Sequence, residues 1–425
     1  MPPRPAQGRT TRRVAPPLEH RILLTATLCL IAFGAVMVYS ASSPEGAING
    51  GYGTGEFLMY LFAAGLGLIA MWLGVQFGLG WLTPQLTRAI LYGSTALLLL
   101  VLVPGIGRDI LGARRWFAAG PIQFQPSELA KFALVLYTAR YLADNPRRLH
   151  RGFKPAIAPI AVALGPACVL IAVEPDLGTT LVCFLTIVSM LVVAGVPGGY
   201  LTKIFMIAGC GLVLMVLVHP YEATRLTSFL HPFSAKSSAG WQSAQSQYAV
   251  GSGGIFGDGL GQSVAKDAWL PEAQTDFILA VIGEELGLVG ILLVISLYGM
   301  IAYAGMRTAR RAATRYTKLL ASGLTSLILC QGLLNIFVVL GIAPLTGVPL
   351  PFISYAPTNL IVMLGSIGLL LGIARPAARE LRLVDGHAQR HTSAAGNDGS
   401  SDTDRDRRHR RARGSGAGRS RRAAS

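Results

Sequence analysis

Leu270–Ala304 reads LPEAQTDFILAVIGEELGLVGILLVISLYGMIAYA. From Phe277 onward it runs for 28 residues with only two charged side chains, Glu284 and Glu285. A helix needs about 20 apolar residues to cross the hydrocarbon of a bilayer, so this stretch predicts a membrane span. Just before it, the polar segment Leu270–Asp276 brings two acids, Glu272 and Asp276, to the membrane entrance. A carboxylate in that position is either a helix cap or a working group.

The rest of the chain agrees with a membrane body. Its 425 residues are 52% hydrophobic and 14% charged, against about 25% charged in ordinary soluble domains, which excludes a soluble enzyme. Nine further apolar runs occur at Ile22–Ser40, Phe57–Val75, Ala89–Val103, Ser127–Leu142, Ile157–Val173, Thr179–Ala194, Leu201–Val218, Leu319–Leu340 and Thr358–Ala374. The expected fold is therefore all-α and polytopic, with ten transmembrane helices spanning 22–374. The first run is read as a retained helix and not a signal peptide, because it is long enough to span and many spans follow it. The five cysteines sit in apolar runs without metal-ligand spacing and read as membrane-core side chains.

The net charge of +16 is uneven. Residues 1–21 form a basic segment, and 375–425 an Arg-rich tail expected to be largely disordered after about 384. Arg147, Arg148, Arg151 and Lys154 lie between spans four and five; Arg307, Arg310, Arg311, Arg315 and Lys318 lie between spans eight and nine. Positive charge stays inside, so both clusters and both termini are expected to be cytoplasmic, the termini near anionic lipid. Neither a folded basic surface nor a base-reading element is visible, which excludes nucleic acid as a partner. The absence of a Walker A or dinucleotide motif argues against a nucleotide-driven pump.

Two outer segments stand apart. Gly105–Gln125 carries Arg108, Arg114 and Arg115 on the side that the charge rule leaves poor in bases, which suits an anionic ligand or ion pairing. The extracytoplasmic loop at 219–276 is far longer than its neighbours and glycine-rich over Gly251–Gly261, and loops of that length usually carry function or disorder.

Charges at membrane depth are costly unless they meet a partner or line water. Glu128 and Lys131, three residues apart, share a helical face; they form either a structural ion pair or part of a polar cavity. Glu174 and Asp176 flank Pro175 in an outer turn, where they serve as cap or as ligand. Arg115 offers a guanidinium matched to phosphate. Thr275 or Asp276 caps the helix that follows, or Asp276 is a general base whose pKa burial raises and a nearby cation lowers. Glu284, two turns deeper, supports a polar channel or pairs with a base.

Seven motifs in order carry a resemblance: GARRW (Gly112–Trp116), QPSELAK (Gln125–Lys131), EPDLGT (Glu174–Thr179), GWQ (Gly240–Gln242), SGGIFGDGLGQS (Ser252–Ser263), LPEAQTDFILAVIGEELG (Leu270–Gly287) and PLPFISY (Pro349–Tyr355). On these the chain resembles the SEDS family of shape, elongation, division and sporulation proteins, and within it the cell-division branch. The resemblance implies a peptidoglycan glycosyltransferase that polymerises lipid II, an undecaprenyl-diphosphate-linked substrate, at the outer membrane face. It further implies a cognate class B penicillin-binding protein and other divisome proteins as partners. Asp276 falls on the family's essential acid, Glu128 and Lys131 on its fourth-span pair, and Arg115 on its loop arginine; Glu174, Asp176, Gln274, Thr275 and Glu284 fall in its supporting motifs. No cofactor is expected to be tightly bound, with room left for a divalent cation such as Mg or Mn. A lipid-linked precursor flippase or transporter, and a non-catalytic divisome scaffold, are the alternatives. Two motifs depart from the family: Gln274 replaces a common His, which removes a proton acceptor, and Ala356-Pro357-Thr358-Asn359 replaces Gly-Gly-Ser-Ser. Pro357 is compatible with the first turn of a last helix.

Overall fold

A computed structural model of the chain describes residues 17–48, 54–110, 113–119, 122–218, 225, 228–230, 238–266 and 270–375. The basic segment before residue 17, the tail from 376, Gly112 of the GARRW motif and parts of the 219–276 loop lie outside the described residues.

All ten expected runs fall on helices. These are α1 (Leu18–Ile48), α2 (Thr54–Phe77), α3 (Pro84–Val101), α4 (Pro126–Asp144), α5 (Phe153–Val173), α6 (Leu177–Ala194), α7 (Gly198–Val218), α9 (Ile278–Arg311), α10 (Arg315–Val339) and α11 (Pro357–Ala374), with α8 (Ser238–Ser252) inside the long loop. Among the described residues, eight are long and apolar enough to cross a membrane, and α4 and α7 stand outside that set. In α4 the physical reason is plain, since it carries Glu128, Lys131, Arg140 and Asp144. The chain is a multi-pass membrane protein.

The all-α expectation needs one addition. Between α3 and α4 the chain forms a three-stranded antiparallel sheet, β1 (Arg108–Ile110), β2 (Ala113–Ala119) and β3 (Ile122–Phe124). Arg108 pairs with Trp116 and Phe117 with Phe124. Alternation along β2 sends Arg115 to the face opposite Arg114 and Trp116.

Burial divides the bundle. The most apolar windows of α9, α10 and α11 are 67%, 72% and 61% buried, whereas those of α3 and α5 are 28%. The last three spans form the centre, and the early ones present apolar faces outward, as Leu58, Phe62, Ile69 and Trp72 do on α2. Lipid is as apolar as Leu, so packing between spans relies on close backbone approach at small residues. At the α2–α11 crossing, a Cβ on Gly74 would stand 2.9 Å from the carbonyl carbon of Gly368.

Helix α9 is interrupted. Gly287 takes φ 64° and ψ −158° inside it, a region essentially reserved for glycine. The backbone groups freed there pair with the glycine-rich loop that ends α8. Asp258 and Gly259 donate to the carbonyls of Glu284 and Glu285, each at 3.0 Å, while Leu288 and Val289 donate to Gly254 and Ile255 at 3.0 and 3.2 Å. The glycine-rich end of the long loop is thereby stitched into the helix bundle.

Candidate active site

Four chain segments converge around Asp276. The first is the turn from α8 into α9. Residues 271–277 form successive turns, and Phe277 is the N-cap of α9 with no side-chain cap bond. The cap reading of Thr275 and Asp276 is therefore replaced: Thr275 donates its hydroxyl back to Glu272 at 2.9 Å, and the Asp276 carboxylate accepts no hydrogen bond among the described residues. The main-chain carbonyl of Asp276 is held, by Asn335 Nδ2 of α10 at 2.7 Å.

The second segment is the loop between α10 and α11. The same Asn335 amide donates to the Val348 carbonyl at 2.8 Å, so one side chain ties this loop to the acid. Gly347 has φ 67°, and a Cβ there would lie 3.5 Å from Asp276 Oδ2. Farther along, Tyr355 N donates to the Gln274 carbonyl at 2.9 Å, and Gln274 Nε2 reaches Glu56 at 3.4 Å. Gln274 thus ties the turn before α9 to Tyr355 and to Glu56.

The third is the turn between α5 and α6. Asp176 is the N-cap of α6 and accepts from Thr179 N at 2.9 Å. Gly178 rests so closely on the α10–α11 loop that a Cβ would collide with the Val348 side chain and the Thr346 carbonyl. The fourth is β2. Arg115 donates Nε to the Glu174 carbonyl at 2.6 Å and a terminal nitrogen to the Pro175 carbonyl, which pins the acidic turn to the sheet.

Electrostatics follow from this packing. Burial, with Glu272 and Asp176 adding like charge, raises the Asp276 carboxyl to about 7 against the pull of Arg225 and Arg115. The competition left open between desolvation and a neighbouring cation is won by desolvation. Glu174 is buried further, and burial together with Asp176 raises it to about 8 in spite of Arg115.

Other candidates have different work. Glu128 and Lys131 form a sealed ion pair at 2.8 Å. Gln331 accepts from Lys131 at 2.7 Å and Asn359 donates to Glu128 at 2.7 Å. The pair locks α4 to α10 through Lys131 and to α11 through Glu128, and Lys131, 0% exposed, presents no free surface to a ligand. Glu284 lies away from the channel role as well. Its carboxylate accepts from Ser263 Oγ, from Val264 N at 3.0 Å and from Ala265 N at 3.2 Å, clamping the long loop. Beside it Lys266 pairs with Glu285 at 2.8 Å and reaches Ser40 at 3.1 Å. The residues of the departing motif are integrated: Pro357 opens α11, and Thr358 Oγ1 accepts from Gln125 N and donates to the Gln123 carbonyl, both at 3.2 Å.

Sequence reading missed Glu56, Arg225, Gln331, Asn335 and Lys266. Gln331 and Asn335 had a signal, as amides within an apolar span; Arg225, Glu56 and Lys266 come near only through folding. Among the described residues, no group of three or more His, Cys, Asp or Glu is arranged to hold a metal ion.

Comparison with known proteins bears on the same residues. The profile of the FtsW, RodA and SpoVE cell cycle proteins matches residues 20–379. The chain is 37% identical over 375 residues to stage V sporulation protein E of Bacillus subtilis, covering 86% of this chain and 99% of that one. It is 37% identical over 366 residues to a probable peptidoglycan glycosyltransferase FtsW of Trichlorobacter lovleyi, covering 83% and 92%. The rod shape determining protein RodA of Thermus thermophilus superposes with a TM-score of 0.60 at 28% identity, covering 83% of this chain and 95% of that one. A chain from a peptidoglycan synthase complex, in a structure concerned with coordination of polymerization and crosslinking, superposes at 0.65 with 29% identity, covering 83% and 96%. With the matched profile running from α1 through α11, the chain belongs to the SEDS family of FtsW, RodA and SpoVE cell cycle proteins.

Proposed function

We propose that the chain is a peptidoglycan glycosyltransferase that polymerises lipid II into β-1,4-linked glycan at the outer face of the cytoplasmic membrane, during septal wall synthesis. The observation that carries this reading is the Asp276 carboxylate: raised to about 7, without a hydrogen-bond donor among the described residues, and held through its main chain by Asn335. A general base is most effective when its pKa lies near the working pH. Asp276 takes the proton from the 4-hydroxyl of the acceptor sugar as that oxygen attacks the anomeric carbon of the donor. The bond from that carbon to the undecaprenyl diphosphate breaks, and the diphosphate leaves with the electron pair. Attack opposite the leaving group turns an α-linked donor into a β-linked product in one displacement, so a second catalytic carboxylate is not required, unlike glycoside hydrolysis.

Arg115 is the cation suited to the charge growing on the diphosphate, since its guanidinium keeps donors beyond those given to the 174 and 175 carbonyls. Lys131 and Glu128 support the frame. The donor set for a divalent cation is not assembled among the described residues. The relatives named as peptidoglycan glycosyltransferases and the likeness to a peptidoglycan synthase complex support both the reaction and a class B penicillin-binding protein as partner.

The test is polymerisation of labelled lipid II by the purified chain with its cognate penicillin-binding protein. Asp276→Ala is expected to abolish polymer. Polymer made equally well by that variant would refute the assignment, and headgroup translocation without polymer would favour a flippase.

A further inference from the structure

Asp176 acts electrostatically on both Glu174 and Asp276, and two of these three carboxyls have assigned work. Asp176 caps α6 through Thr179 N; Asp276 is the free base. Glu174 remains. It is 1% exposed, and neither of its carboxyl oxygens has a hydrogen-bond partner among the described residues. Buried polar atoms are nearly always paired, and one left orphaned calls for a reason. Arg115 beside it gives two donors to the carbonyls of Glu174 and Pro175 and none to the Glu174 carboxyl.

That arrangement is informative. Arg115 fixes the main chain from which the Glu174 side chain springs, so the acid is held beside the guanidinium without being neutralised by it. An ionised carboxylate there would repel a diphosphate and leave up to four lone-pair sites dry. A neutral carboxyl has one O–H to give, and a phosphate oxygen is a strong acceptor. We propose that Glu174 acts as a neutral carboxylic acid that donates a hydrogen bond to the diphosphate of the lipid-linked substrate beside Arg115. This rests on the lipid II reading above.

The charged groups acting on Glu174 are Asp176 in its own turn and Arg115 of β2; burial outweighs both and raises it to about 8. The sign is fixed by that direction: the donating form prevails below about 8 and is lost as pH rises through it. Asp276 must by contrast lose its proton, near 7. The productive pair, ionised Asp276 with protonated Glu174, falls roughly sixfold between pH 7.5 and pH 9.

The test uses the full chain with its penicillin-binding partner and lipid II as the probe. Wild-type kcat/KM is expected to fall about sixfold between those two pH values. Glu174→Ala should lose about tenfold at pH 7.5, and Glu174→Gln, which keeps an N–H donor but cannot ionise, should recover most of that loss and abolish the alkaline fall. A Gln variant as poor as Ala, or one that retains the alkaline fall, would overturn the proposal and point to a carboxylate ligand for a cation. Infrared difference spectra between pH 7 and 9, without substrate, provide an independent reading. A carboxylic C=O band should disappear on titration in Asp276→Asn, where the acid that titrates near 7 is removed, and be missing from Asp276→Asn/Glu174→Gln; its absence from Asp276→Asn also overturns the proposal. Should Ala fail to fold, the Gln limb and this band decide. Should wild type make no polymer, the polymerase reading fails, while the band and the pH dependence of lipid II affinity, weaker at pH 9 in wild type and flat in Gln, still decide the role of Glu174.

Discussion

Asp276→Asn should stabilise the protein while disabling it. An acid whose folded-state pKa is raised costs stability once it ionises, because the unfolded chain loses the same proton more easily. The folded value is about 7 and the reference value 3.8. The cost is absent below the reference value, grows between the two, and is complete above about 7. Linkage gives about 2 kcal/mol at pH 5 and about 4 kcal/mol above pH 8. The upper figure is a ceiling, since the carboxyl keeps partial surface contact and an amide in the same place loses hydration too. Asn removes the ionisation and leaves size nearly unchanged. The expected result is a denaturation midpoint in detergent several degrees above wild type at pH 8, a difference that shrinks towards pH 5, and no polymer at either. The wild-type rate should climb about fivefold from pH 6 to pH 8, the roughly tenfold gain in ionised Asp276 being halved as Glu174 loses its proton near 8. A midpoint difference that does not change with pH, or grows towards acid, would refute the claim that Asp276 is held against its own ionisation.

Three further outcomes follow from the packing. Lys131→Met leaves Glu128 as an uncompensated buried charge and should cost about 3–5 kcal/mol, with Glu128→Gln in the same chain recovering much of it; chemical denaturation of the two variants checks this. Gly178→Ala forces the start of α6 off the 346–348 loop, a collision with backbone worth about 1–3 kcal/mol. Because that loop is tied to Asp276 through Asn335, lipid II turnover should fall by more than the loss of folded protein measured in parallel. Gly287→Ala sets a side chain at φ 64° against the Ile255 carbonyl, and should release the glycine-rich loop, read as faster protease cleavage within 252–266.

Much of the architecture was open to a reader of the chain. Ten apolar runs became ten helices because a membrane imposes one length and one secondary structure on whatever crosses it. The candidate acids were legible for a related reason: a carboxylate at the edge of an apolar run is expensive, so Glu174, Asp176 and Asp276 stood out without knowledge of their neighbours. The small sheet at 108–124 was not legible, since its strands are three to seven residues long and such short runs lack a measurable period.

What each acid does was a different matter. Glu128, Glu174, Asp176, Asp276 and Glu284 look alike as letters at the borders of helices. Folding turns Glu128 into half of a sealed ion pair, Asp176 into a cap and Glu284 into a loop clamp, and leaves the carboxyls of Asp276 and Glu174 without donors among the described residues. Local sequence fixes a residue's depth in the membrane through hydrophobicity. Its proton affinity and its partners come from side chains up to 231 positions away, as Asn359 is from Glu128, and only the tertiary structure brings those together.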